Sequence, residues 1–218
     1  MQTFEPFGGD KKVGQSIFGP LEQRLIQRCV PAVPSFIRSH HLTLASIPIS
    51  MLIIGCSYLS KTNIHWLWAV SVLIALQWMT DSLDGAVGRA RNEGLIRWGY
   101  YMDHLLDYFF LAAILIGYML LLPVGFRTLH FFVLAIFGAF MVNSYLAFAT
   151  TNQFRISYLG IGPTEIRLVF ILTNTLLIFF GKTHLVGALP YVLAVSFFGL
   201  IVVIYRTQKE LWEVDHSR

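Results

Sequence analysis

The sequence predicts an all-α fold, a polytopic membrane bundle of six transmembrane helices preceded by an interfacial amphipathic helix. Three observations carry that expectation. Only 13% of the 218 residues are charged and 56% are hydrophobic, whereas soluble domains hold about 25% and roughly 45–50%. Six segments approach the ~20 apolar residues that a helix needs to cross a bilayer. The basic residues, finally, crowd into alternate loops.

Taken in order, the chain opens with a polar stretch containing Asp10, Lys11 and Lys12, in which no signal peptide is read. Ile17, Leu21, Leu25 and Cys29 then recur every four residues, with Glu22, Gln23, Arg24, Gln27 and Arg28 on the other face. That is the pattern of a helix in the headgroup plane, ended by Pro31 and Pro34. The spans follow at Leu42–Ser60, Trp66–Val87, Gly99–Leu122, Thr128–Ala149, Glu165–Phe180 and Leu185–Tyr205. We therefore divide the chain into an N-terminal segment, 1–41, a six-helix transmembrane domain, 42–205, and a C-terminal tail, 206–218. Cys29 and Cys56 lack any metal-like spacing, so neither a disulfide framework nor a zinc site is expected.

Six spans put both termini and the 88–98 and 150–164 loops on one side. That side holds thirteen of the 16 Lys and Arg residues, and the other has Lys61, Arg127 and Lys182. Lys and Arg accumulate in cytoplasmic loops, so both termini are assigned to the cytoplasm. Because the basic residues are scattered between apolar runs, the net charge of +4 speaks to topology and not to nucleic acid. Trp66 and Trp68 outside, and Trp98, Tyr100 and Tyr101 inside, suit the aromatic belts.

The chemistry lies in "DSLDGAVGRARNEGLIRWGYYMDHLLD", residues 81 to 107. Fifteen residues from Trp66 to Thr80 rise about 22 Å, which puts Asp81 near the cytoplasmic edge of the hydrocarbon. The third span starts on that side, so Asp103 and Asp107 lie at similar depth. Asp81 and Asp84 are three apart; Gly99, Asp103 and Asp107 are four apart, so each set shares a helix face. Carboxylates on neighbouring helices can thus converge on one centre. Each ionised acid in the apolar region costs about 3 kcal/mol, and mutual repulsion adds more. Bound hard divalent cations, Mg²⁺ or Mn²⁺ first, remove both penalties. Pairing with Arg89, Arg91 and Arg97 is the plainer alternative, but it accounts for one or two of the acids and not for four.

These residues resemble the signature of the CDP-alcohol phosphotransferases, D-x2-D-G-x2-A-R-x8-G-x3-D-x3-D. Asp81, Asp84, Gly85, Arg89, Gly99, Asp103 and Asp107 match it. Gly88 replaces the alanine, and nine residues separate Arg89 from Gly99. That extra residue raises Arg91 as a rival phosphate ligand, since it lies seven residues after Asp84; the motif frame selects Arg89.

The resemblance implies transfer of a phosphate-bearing group from a CDP-linked donor to a hydroxyl acceptor, with release of CMP, in phospholipid biosynthesis. It implies two ions, Mg²⁺ or Mn²⁺, held by Asp81, Asp84, Asp103 and Asp107, with Asp107 also the general base. A two-metal clamp suits substitution at a pyrophosphate. Arg89 would contact a phosphate, and Gly85, Gly88 and Gly99 would make room for the nucleotide. His104, which titrates near neutrality, is the alternative base. For the acceptor, Glu165 in "GPTEIR" reads either as a helix cap or as a contact to an amino-alcohol headgroup. Arg155 and Arg167 suit an acceptor phosphate. At least one substrate is expected to be a lipid, and a homodimer is the expected assembly. Asn143, Ser144 and Tyr145 read as interhelical hydrogen-bonding residues. The competing class is a cation-coupled transporter using the acids as an ion site, which would want carboxylates near the bilayer midplane.

Overall fold

The computed structural model describes residues 17–151 and 162–216, and the backbone of 12–13 and 154–155. Helix α1, Gly19–Cys29, has Pro20 in its first turn and is followed by a 3₁₀ turn at Val30–Ala32. The first span is α2, Ser39–Leu44, continued by α3, Ser46–Leu59. The others are α4, Trp66–Ala90, α5, Ile96–Leu121, α6, Val124–Thr151, α7, Pro163–Phe180, and α8, Thr183–His216. A two-residue parallel pairing joins β1, Lys12–Val13, to β2, Phe154–Arg155. Among the described residues, six helices are long and apolar enough to cross a membrane. The six expected spans are these six helices, and the protein is an integral membrane protein.

Several boundaries differ from the expected ones, and two regions show a physical reason. Helix α8 runs on past Tyr205 to His216, because the polar stretch "RTQKELWEVD" has good helix formers and no Gly or Pro to stop it. The turn from α4 to α5 is tight: Asn92 (φ 52°) and Gly94 (φ 73°) both adopt left-handed backbone, conformations that Gly and Asn tolerate best. Glu93 in that turn accepts from the Ser39 hydroxyl (2.8 Å) and the Ser39 backbone N–H (3.0 Å), which caps α2. Burial raises the Glu93 carboxyl, but the Ser39 hydrogen bonds, with Arg38 and Arg91 nearby, outweigh it and lower its pKa.

The core is built chiefly from α3, α4, α5 and α7, with Ile53, Leu67, Ile74, Ile114 and Leu177 buried. A neutral polar cluster stitches it. Tyr118 donates to Asn174 Oδ1 (3.0 Å), and Asn174 donates to Ser71 Oγ (3.1 Å), linking α5, α7 and α4. Helices α3 and α5 approach so closely at Gly117 that an added Cβ would lie 2.9 Å from the Ser57 Cβ, a contact that must push the backbones apart. Gly117→Val is expected to destabilise the bundle by about 1–3 kcal/mol, as overpacking typically does. A lowered unfolding temperature in detergent would register it.

Helix α1 sits against the bundle in a way the four-residue repeat did not foretell. Ile17, Leu21 and Leu25 are exposed, and Ile26 is buried. Glu22, expected on the polar outer face, turns inward instead. It accepts from Ser82 Oγ on α4 (2.8 Å) and from Thr164 Oγ1 on α7 (2.7 Å). The reason is local: hydroxyls at the ends of two helices offer a carboxylate two short hydrogen bonds that water would have to replace.

Candidate active site

The late part of α4, the start of α5 and the first turn of α7 meet at one end of the bundle. Asp81 and Asp84 come from α4, Asp103 and Asp107 from α5, and Arg167 from α7. Asp81, Asp103 and Asp107 each offer a carboxylate oxygen within 4.8 Å of the others. Ligands on opposite sides of Mg²⁺ lie about 4.2 Å apart and adjacent ones about 3 Å, so the three carboxylates have to draw inward to close on one hard cation. The donor set fits such an ion.

Asp84 lies outside that trio in this arrangement. It is buried, its Oδ2 accepts from Thr43 Oγ1 on α2 at 2.7 Å, and its Oδ1 takes the Gly85 backbone N–H. Thr43 is a site residue that sequence reasoning missed. Nothing in the local pattern marks it, because its partner is 41 positions away.

The cation that meets the acids is not one of the α4 arginines. Arg167 Nη2 donates to Asp81 Oδ2 at 2.8 Å and to Asp107 Oδ1 at 3.2 Å. Its guanidinium lies over the Phe110 ring, 5.5 Å from the centroid, and the residue is only 6% exposed. Arg91 is committed elsewhere: its guanidinium donates to Ile37 O and Val33 O, both at 2.6 Å. That ties the end of α4 to the segment entering the first span. Arg89 is exposed and folds back over α4, so that a Cβ at Gly85 would sit 3.2 Å from its Nη1.

The glycines divide. Space stands open around Gly99, whereas Gly88 backs onto Ser39, 3.3 Å from where its Cβ would be. Gly88 therefore lets α2 approach α4. His104 is half-buried between aromatic rings, with Tyr100 at 4.1 Å and Tyr145 at 5.7 Å, and its Nδ1 is 3.6 Å from Asp103 Oδ2. Tyr145 donates to the His104 carbonyl (2.6 Å) and Asn143 to Thr207 Oγ1 (3.3 Å), both across helices. Ser144 bonds within its own helix, to Phe140 O.

Glu165 takes the capping role. Its Oε2 accepts the Gly162 N–H (2.8 Å), and its Oε1 accepts the Phe18 N–H (3.1 Å) at the start of α1. The backbone of Arg155 lies in β2; its side chain is outside the described residues.

No match to the chain is found among curated proteins. The family model for CDP-alcohol phosphatidyltransferase matches residues 36–205, a stretch that contains the acid trio, Asp84, Thr43, Arg89 and Arg167. Family membership implies a transferase of substituted phosphate groups, acting on CDP-alcohols in phospholipid synthesis, and sets aside the transporter alternative. Since the match runs through all six spans and well over half of the sequence, the chain belongs to the CDP-alcohol phosphatidyltransferase family.

Proposed function

We propose that the protein transfers a phospho-alcohol or phosphatidyl group from a CDP-linked donor to a hydroxyl acceptor, at least one of the two being a lipid. The site would open at the cytoplasmic edge of the bilayer, as the thirteen basic residues on that side support. The observation that carries the reading is the trio Asp81, Asp103 and Asp107, three carboxylates from two helices within reach of one cation. With Asp84 beside them, they would hold Mg²⁺ or Mn²⁺. Such ions supply neutralisation of the pyrophosphate and of the charge that develops on the leaving CMP.

The chain's own residues do the rest. Asp107 accepts the proton of the acceptor hydroxyl as its oxygen bonds to the donor phosphorus and the bond to CMP breaks. Its side chain is 27% exposed, against 12% for the enclosed His104, and a base must reach the proton it takes. His104 instead steadies Asp103. Arg89, exposed beside Gly85, holds a donor phosphate, and the space at Gly99 admits the nucleotide. The capped carboxylate of Glu165 argues against a contact to an amino-alcohol headgroup, which leaves the basic Arg155 and Arg167 as acceptor-side candidates. A homodimer remains the proposed assembly.

Detergent-purified protein given CDP-linked donors, a panel of alcohol acceptors and Mn²⁺ should release CMP. Excess EDTA should abolish release, and added Mg²⁺ or Mn²⁺ should restore it. Full turnover in chelator would overturn the metal assignment, and no CMP from any pair would overturn the transfer itself.

A further inference from the structure

Arg167 is an unusual neighbour for a proposed metal site. It is buried, comes from a third helix, and donates through Nη2 to both Asp81 Oδ2 and Asp107 Oδ1, two of the three acids of the trio. An arginine does not lose its proton in a protein, so the site carries a fixed positive charge that no change of pH removes. With Asp84 beside the trio, the carboxylates outnumber the one guanidinium, so the site still offers a divalent ion an acidic set of oxygens.

We propose that Arg167 is a built-in competitor for the metal: its charge weakens ion binding, so that the bundle stays folded and its acids stay paired when ions are scarce. The inference rests on the metal reading above. Like charges at such range in a partly desolvated site repel by several kcal/mol, and the attraction of Arg167 for Asp81 and Asp107 has to be partly given up when an ion arrives. The same contact steadies two carboxylates that otherwise repel each other across α4 and α5.

The test is Mn²⁺ binding alone, followed by the electron paramagnetic resonance of the free ion in titrations of detergent-purified protein. Arg167→Gln should bind Mn²⁺ at least about tenfold more tightly than wild type, while its unfolding temperature without added ion falls. Arg167→Lys, which keeps a cation in the cavity, should stay within about threefold of wild type, since only the charge is meant to matter. A Gln variant with unchanged or weaker Mn²⁺ affinity would overturn the inference, as would a Lys variant that binds as tightly as Gln is expected to. Wild-type protein that binds no Mn²⁺ would remove the metal reading itself, an outcome distinct from binding that is insensitive to position 167.

Discussion

Asp103→Asn is expected to reduce turnover by about a hundred-fold or more while leaving the protein folded. The amide keeps the size and loses the charge, and a group that stabilises developing charge at a reacting phosphate is worth that much. Asp81→Asn should lose as much activity, but the two variants should part company in stability. Asp103 faces the other acids of the trio, so its neutralisation relieves repulsion. Asp81 is the closer partner of the buried Arg167, and its loss leaves that guanidinium with a weaker set of acceptors, at a cost of about 1–3 kcal/mol. Unfolding temperatures measured in the same detergent should therefore hold or rise for Asp103→Asn and fall for Asp81→Asn. Equal destabilisation by both would mean that the trio is a structural ion-pair network.

Arg89→Ala should raise the apparent KM for the CDP-linked donor and lower kcat, together reducing kcat/KM by about 10²–10³-fold, because a phosphate contact strengthens as charge develops. Arg91→Ala should behave otherwise. Its guanidinium is occupied by Ile37 O and Val33 O, so the expected loss is in stability, about 1–3 kcal/mol for two carbonyls stripped of a charged donor. Donor titrations combined with thermal unfolding separate the two. If Arg91→Ala were the kinetically crippled but stable enzyme, the phosphate would be held two residues further along α4 than the motif frame puts it.

How much of this was legible in the sequence depended on distance along the chain. The spans were readable because each is a local property, a run of apolar residues long enough for a bilayer. The acids were readable because spacings of three and four residues on a helix define a face. What helix periodicity cannot supply is the pairing of faces across the bundle. Thr43 beneath Asp84, Arg167 among the acids and Glu22 between Ser82 and Thr164 are all contacts between segments 41 to 142 positions apart. Arg91 shows the same limit in reverse. Its spacing from Asp84 made it a rival for the phosphate, yet two carbonyls of the preceding segment claim it. Glu165 could be read because a cap is local, although its second partner, Phe18 N–H, could not.

The stitching of α1 has a consequence for the order in which the protein is made. Each span can satisfy its own backbone as soon as it enters the bilayer. The carboxylate of Glu22 and the N–H of Phe18, however, find Thr164 and Glu165 only after α7 has emerged, 142 and 147 positions later. Until then the Glu22 carboxylate has Ser82 but not Thr164. Arg167 arrives with the same helix, so Asp81 and Asp107 are without its guanidinium through the synthesis of α6. The N-terminal helix and the catalytic end of the bundle are thus completed in one late event, and a ribosome that stalls before α7 leaves behind four inserted spans with neither.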